Sequence, residues 1–387
     1  MPNLMDYLAW RGDLTFDQAP LCQVDQLIFA QLAYVSFGDA VPGVEAYPGA
    51  VRLERAARWL LDTDPEGRRI HQTFYMWKDD REMLRALADA PRFRNVEMLL
   101  SMDEMTGSTQ FAAVAYRLPN GRCLLAFRGT DDSVSGWKED CMLALDEPVP
   151  AQLRAAEYLR TAAEKLPGTL ELTGHSKGGN LAVYAAASVE AGVQARIGAV
   201  YNLDGPGFSR SLLSSPGYAA IRDRVRTFLP EGSVVGRLLA HDGPAFPVRS
   251  DAAGLMQHSA FSWQVTGSRM LPAENLSLFS EYVHGVMDTW IDSLSAAQRR
   301  EFVENLFEMI GTLQVDTLDE ARTAIVRRLP TFLHRMRLID REKKVQLLHA
   351  LFSLGGTALN QLPRRFGGGK KGDAAPGDGS EQREEQT

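Results

Sequence analysis

One five-residue segment has the residue types and spacing of a serine nucleophile. Gly174-His175-Ser176-Lys177-Gly178 matches the pattern Gly-x-Ser-x-Gly, in which the serine occupies a strained turn and its hydroxyl group projects outward. Glycine is needed on both sides because a Cβ atom there would collide with neighbouring backbone. The pattern predicts Ser176 as the attacking group of an acyl transfer, although a turn that only joins two elements matches it too.

The residues around this segment favour the nucleophile over the simple turn. Residues 169–173 predict a short strand, and the alanine-rich residues 181–187 predict a helix that follows directly. A strand, a sharp turn and a helix form the context that Gly-x-Ser-x-Gly requires, and the helix N-terminus favours a developing negative charge. The sequence therefore predicts a serine hydrolase.

A second polar segment, residues 128–132, follows the strand-like residues 122–127. In a fold with such a serine turn, the loop after an earlier strand supplies one backbone N–H group of the oxyanion hole. The residue after the serine supplies the other N–H group. Thr130 and Lys177 are therefore the predicted oxyanion donors, and the alternative is a polar turn that merely closes the strand.

A serine nucleophile needs a base, and the chain has seven histidines. His258 is preferred because it follows Ser176 in chain order and lies in a loop after the last candidate strand. His241 is the second candidate, and His175 is expected to pack beside Ser176. The other four histidines lie in predicted helices, where surface or core positions are commoner: His71, His284, His334 and His349.

The acid that would orient the histidine stays open between three residues. Asp204 ends the predicted strand over residues 197–203, so it would lie at the same carboxyl edge of the sheet as Ser176. We choose Asp204, with Glu231 and Asp242 as alternatives. An aspartate that only caps the following turn explains Asp204 nearly as well.

The order of predicted elements indicates an α/β fold that would position these residues. A hairpin turn at Asn120-Gly121 opens the sheet, and strands then alternate with helices, which predicts a mostly parallel sheet with helices on both faces. A helical N-terminal lead-in precedes this core and a C-terminal helical extension follows it. The predicted regions are the lead-in, the core, the extension and a disordered, glycine-rich charged tail: residues 1–100, 101–270, 271–364 and 365–387.

Motifs distributed over much of the chain resemble a known family. Phe127-Arg128-Gly129-Thr130, Trp137 and Asp140, followed by residues 174–180, resemble the core of class 3 lipases. The resemblance is closer to the Mbeg-like bacterial proteins, an uncharacterised lipase-related family. It extends over about residues 5–263 through Asp6-Tyr7, Trp10-Arg11, Asp204-Gly205-Pro206-Gly207-Phe208, Gln257-His258 and Trp263.

This resemblance implies an α/β-hydrolase fold and lipase or esterase activity, with His258 as the base. Class 3 lipases usually carry an aspartate after the strand that corresponds to residues 225–229. Here the chain reads Pro230-Glu231-Gly232-Ser233, and this departure is the reason why the acid stays open.

The charge composition of the chain bears on which classes of partner it can bind. The 42 basic and 49 acidic side chains leave a net charge of -7, so no nucleic-acid binding is expected. The first nine residues lack a secretory signal and no apolar run is long enough to cross a bilayer, which predicts a cytoplasmic protein. The three widely spaced cysteines indicate neither disulfides nor a metal site. We expect no cofactor.

Two functions remain at this point. The first is hydrolysis of carboxylic esters, with lipid esters preferred, through Ser176, His258 and Asp204 and an acyl-enzyme intermediate. Its partners would be a small-molecule or lipid ester and, transiently, a membrane surface. The second is a non-catalytic binding or scaffold protein with an α/β-hydrolase fold, because a fold does not dictate function. The sequence leaves open the acyl-chain length, the oligomeric state and whether residues 209–224 or the helices after residue 275 cover the site.

Overall fold

A computed structural model describes residues 1–70, 79–106, 109–131, 133–143, 145 and 148–311. The predicted tail at residues 365–387, the extension beyond residue 311, and His71, His334 and His349 lie outside the described residues.

An eight-stranded sheet forms the centre of the described part of the chain, with its strands side by side in chain order. The strands are β1 Val51–Arg52, β2 Glu97–Met105, β3 Gln110–Arg117, β4 Cys123–Phe127, β5 Leu170–His175, β6 Ile197–Leu203, β7 Val225–Pro230 and β8 Ala245–Val248. The pairs from β1 to β4 are antiparallel, and the pairs from β4 to β8 are parallel. Consequently β2 and β4–β8 all run in one direction, and the sheet is mostly parallel.

Helices cover both faces of this sheet. They are α1 Leu4–Arg11, α2 Gln23–Leu32, α3 Leu53–Thr63, α4 Asp79–Asp89, α5 Val134–Met142, α6 Pro150–Lys165, α7 Lys177–Ser188, α8 Ala191–Gln194, α9 Arg210–Leu213, α10 Pro216–Ile221, α11 Leu278–Ser293 and α12 Ala296–Gly311. A ribbon of β9 Val265–Thr266 and β10 Arg269–Met270 lies apart from the main sheet.

The sheet lies between two hydrophobic cores, and strand β4 contributes side chains to both. Its side chains alternate: Leu124 and Ala126 pack with α1–α4, whereas Leu125 and Phe127 pack with α6 and α7. Successive side chains of a strand point to opposite faces, so a strand covered on both sides is apolar throughout. All five residues of β4 are accordingly buried.

The predicted α/β-hydrolase fold is confirmed, including the hairpin whose turn places Gly121 at φ 80°. The expectation that the sheet opens with this hairpin is wrong, because β1 lies within the predicted helical lead-in and β2 crosses the end of that region at residue 100. Strand β2 is rich in Met, Leu and Glu, which favour helices. Its strand conformation comes from pairing with β3 and not from local preference.

None of the described helices combines the length and apolar character needed to cross a membrane.

Candidate active site

Ser176 lies in a strained conformation between β5 and α7. Its φ of 59° and ψ of −135° are costly for a residue with a side chain. A Cβ atom on Gly174 would lie 2.2 Å from the carbonyl carbon of Gly178, and one on Gly178 would lie 2.1 Å from the carbonyl oxygen of Phe127. The Ser176 N–H group donates to the Leu203 carbonyl at 2.9 Å and ties the turn to β6. Both glycines are therefore required by close backbone packing.

His258 and Asp204 form a contact pair at the carboxyl edge of the sheet. The Nδ1 atom of His258, in the turn Gly254–His258, lies 2.6 Å from Oδ2 of Asp204. The other oxygen of Asp204 accepts from the Ser233 hydroxyl and from the Gly236 N–H group at 3.2 Å. Because a carboxylate only accepts, the Nδ1 atom carries the proton, and Nε2 is the basic nitrogen of the neutral ring.

The segment after β7, which lacks the aspartate usual in class 3 lipases, contacts Asp204 instead. Ser233, in the segment that lacks the usual aspartate, is the residue whose hydroxyl holds Asp204, and Asp204 is fully buried with φ 52°. The alternative Asp242 instead forms an ion pair with Arg222 at 2.8 Å. Among the described residues, the carboxylate in contact with His258 is that of Asp204 and not that of Asp242 or Glu231.

His241, the alternative base, is not among the residues that line the cavity around Ser176. Burial lowers the pKa of its imidazole to about 4. His284 has its Nδ1 atom 2.8 Å from the Arg237 carbonyl oxygen, as expected of a histidine in a structural position.

His175 makes a contact that its position in the sequence did not predict. Its Nε2 atom lies 2.7 Å from the carbonyl oxygen of His258, and its Nδ1 atom lies 3.1 Å from the Tyr34 hydroxyl. The Nε2 atom must donate, since a carbonyl only accepts. Burial holds the pKa of His175 well below its usual value, so the ring is neutral and supports the backbone of His258.

Thr130 and Lys177 lie at the wall of the cavity that contains Ser176. Thr130 follows β4, and Lys177 is the first residue of α7. The Thr130 hydroxyl donates to Oδ2 of Asp140 at 2.6 Å, which connects the loop after β4 to α5. The structure thus brings both predicted oxyanion residues to one place, with Ser176 and His258.

A cavity of about 590 Å³ opens beside Ser176. This volume is within the range of pockets that bind small organic ligands. Its wall comes largely from α5, α11, α12 and the turn after β7, and residues 209–224 do not line it. The apolar lining residues are Trp137, Cys141, Leu143, Pro206, Val234, Val235, Leu238, Leu239, Leu255, Met287, Trp290, Ile291, Leu294, Phe302 and Val303.

The strand order and the strained serine turn define an α/β-hydrolase fold. The chain belongs to the Mbeg1-like family, whose model matches residues 87–308, more than half of the chain. This match confirms the resemblance that the motifs predicted, and the matched range contains Thr130, Ser176, Lys177, Asp204 and His258.

A comparison with curated proteins finds no match. Among solved structures, the crystal structure of M37 lipase is similar with 16% sequence identity and a TM-score of 0.32, covering 55% of this chain and 69% of that chain. With so low a score, the fold assignment depends on the sheet and serine turn of this chain.

Proposed function

We propose that the protein is a serine hydrolase that cleaves carboxylic esters, with lipid esters as its preferred substrates. The proposal depends on one observation: strained Ser176 and His258, whose imidazole is hydrogen-bonded to Asp204, both line a single, mostly apolar cavity.

In the proposed reaction, Nε2 of His258 takes the Ser176 proton while the Ser176 oxygen attacks the ester carbonyl carbon. The backbone N–H groups of Thr130 and Lys177 stabilise the oxyanion that forms. The leaving alcohol then takes its proton from His258, and an acyl-enzyme remains. A water molecule, deprotonated by the same histidine, attacks the acyl-enzyme and releases the carboxylic acid. Asp204 holds the tautomer of His258 and stabilises the imidazolium ion.

The cavity lining supports a substrate with a large apolar acyl group. Side chains such as Leu238, Ile291 and Val303 offer no hydrogen bonds to a polar substrate. Each buried methylene group contributes about 0.8 kcal/mol to binding, so a longer acyl chain gains affinity as far as the cavity extends. Transient contact with a membrane surface would accompany a lipid substrate and is part of this proposal.

The contact between Asp204 and His258 favours this proposal over the non-catalytic alternative. The chain lacks the usual aspartate after β7, and the Asp204 carboxylate lies where it can take that role beside His258.

Fluorophosphonate labelling of the wild type and of Ser176→Ala tests this proposal. We expect labelling of the wild type only, because the reagent reacts with activated serines. With p-nitrophenyl acetate, octanoate and palmitate, kcat/KM is expected to be higher for the longer esters and to vanish in Ser176→Ala. A folded wild type that neither labels nor hydrolyses any of these esters refutes the proposal, and a preference for acetate refutes the lipid preference.

A further inference from the structure

A buried lysine follows Ser176 directly. The side chain of Lys177 is 1% exposed, and its ammonium group pairs with the Glu139 carboxylate and donates to the Gln110 carbonyl at 3.3 Å. Lysine is rarely buried, since removing its charge from water is costly unless it is paired. The proposed oxyanion N–H group belongs to the backbone, which any residue could supply. The side chain therefore needs a separate explanation.

Glu139 is a rigid partner for this ammonium group. It lies on α5, and its carboxylate also accepts the N–H group of Ala151 at 2.9 Å and that of Gln110 at 3.3 Å. These contacts connect it to the start of α6 and to β3. Neither Lys177 nor Glu139 can move without breaking several hydrogen bonds.

The next residue of α5 holds the other proposed oxyanion segment. Asp140 accepts the Thr130 hydroxyl through Oδ2, and its Oδ1 atom lies 3.7 Å from the Lys177 ammonium. Burial raises the pKa of Asp140, while Lys177 and the Thr130 hydroxyl act in the opposite direction. The ammonium group thus contacts two consecutive carboxylates, one that holds its own side chain and one that holds Thr130.

We propose that the Lys177 side chain is a positioning residue for the oxyanion hole. Through Glu139 and Asp140 it keeps the loop after β4 and the start of α7 at a constant separation. This inference depends on the proposed function, because it assigns the oxyanion role to Thr130 and Lys177. Oxyanion donors act on charge that develops in the transition state and must be placed within about 0.5 Å. Loss of this alignment is expected to lower kcat and to leave KM almost unchanged.

Three variants test the role: Lys177→Met, Glu139→Gln and the double variant that combines them. Lys177→Met alone leaves a buried unpaired carboxylate and is expected to lose stability. The double variant removes both charges, so its Tm should recover toward the wild-type value. Its kcat for p-nitrophenyl octanoate is expressed per active site, and the active sites are counted by complete labelling with fluorophosphonate. This kcat should still be at least about tenfold below the wild-type value, with KM within about twofold of the wild-type value.

Lys138→Met is the matched control, because Lys138 is an exposed lysine on α5, the helix that carries Glu139. It should retain both kcat and KM. A double variant with wild-type kcat overturns the inference and makes the buried pair purely structural. A rise in KM at constant kcat also overturns it. A wild type without any ester turnover refutes the proposed function itself, and the positioning role fails with it.

Discussion

Replacing Asp204 with asparagine is expected to lower kcat for ester hydrolysis by about 10³- to 10⁴-fold. The carboxylate accepts hydrogen bonds from His258, Ser233 and Gly236. The amide oxygen of asparagine can keep the Ser233 and Gly236 contacts, which leaves its NH₂ group against Nδ1 of His258. Two donors repel each other, so the imidazole must move its proton from Nδ1 to Nε2.

The size of the effect follows from that tautomer. With a proton on Nε2, His258 cannot accept the proton of Ser176, and the favourable tautomer is reached only at a cost in free energy. A 10³- to 10⁴-fold loss corresponds to about 4 to 5.5 kcal/mol in the activation barrier, since each factor of ten is about 1.36 kcal/mol. Little of this should appear in KM, because Asp204 is buried behind His258 and does not line the cavity.

The assay is steady-state hydrolysis of p-nitrophenyl octanoate by Asp204→Asn, with a thermal melt to establish that the variant folds. Asp242→Asn is the matched control, because Asp242 forms a partly exposed ion pair with Arg222 and should matter little. A folded Asp204→Asn enzyme with kcat within tenfold of the wild type refutes the reasoning. A loss of activity in Asp242→Asn as large as that in Asp204→Asn would also refute it.

Two further predictions concern stability. Arg92→Met should lower the free energy of unfolding by about 3 to 5 kcal/mol, because it leaves the fully buried Asp25 without its ion-pair partner. Urea denaturation measures this free energy. The control is Arg94→Met, at an exposed arginine, which should change it by less than about 0.5 kcal/mol. Acidification should also destabilise the fold: the pKa of His241 falls from 6.5 to about 4 on folding, so the unfolded chain binds the proton first and stability is lost as pH falls from 6.5 toward 4. His241→Gln should reduce that loss by about 3 kcal/mol, and an unchanged pH dependence would contradict the assignment to this residue.

The predictions for the elements around Ser176 and for the hairpin depended on contiguous residues and agree with the structure. The elements around Ser176 were predictable because a strand, a glycine-flanked turn and an alanine-rich helix follow one another within about twenty residues. Strands β3 and β4 were predictable for the same reason, since a short turn joins them. Strand β2 was not, because its helix-favouring residues become a strand only through pairing with β3. The cytoplasmic location stays a prediction.

The sequence by itself determined the fold class, the serine turn and a short set of candidate bases and acids, since these depend on local residue types and their order. Only the tertiary structure brought Asp204 to His258, across 54 positions of chain, because β6, β7 and β8 lie side by side and end at one edge. It also placed α11 and α12 at the wall of the cavity that contains Ser176, and it joined Lys177 to Glu139. Such contacts depend on how distant elements pack, and no local pattern in the chain encodes them.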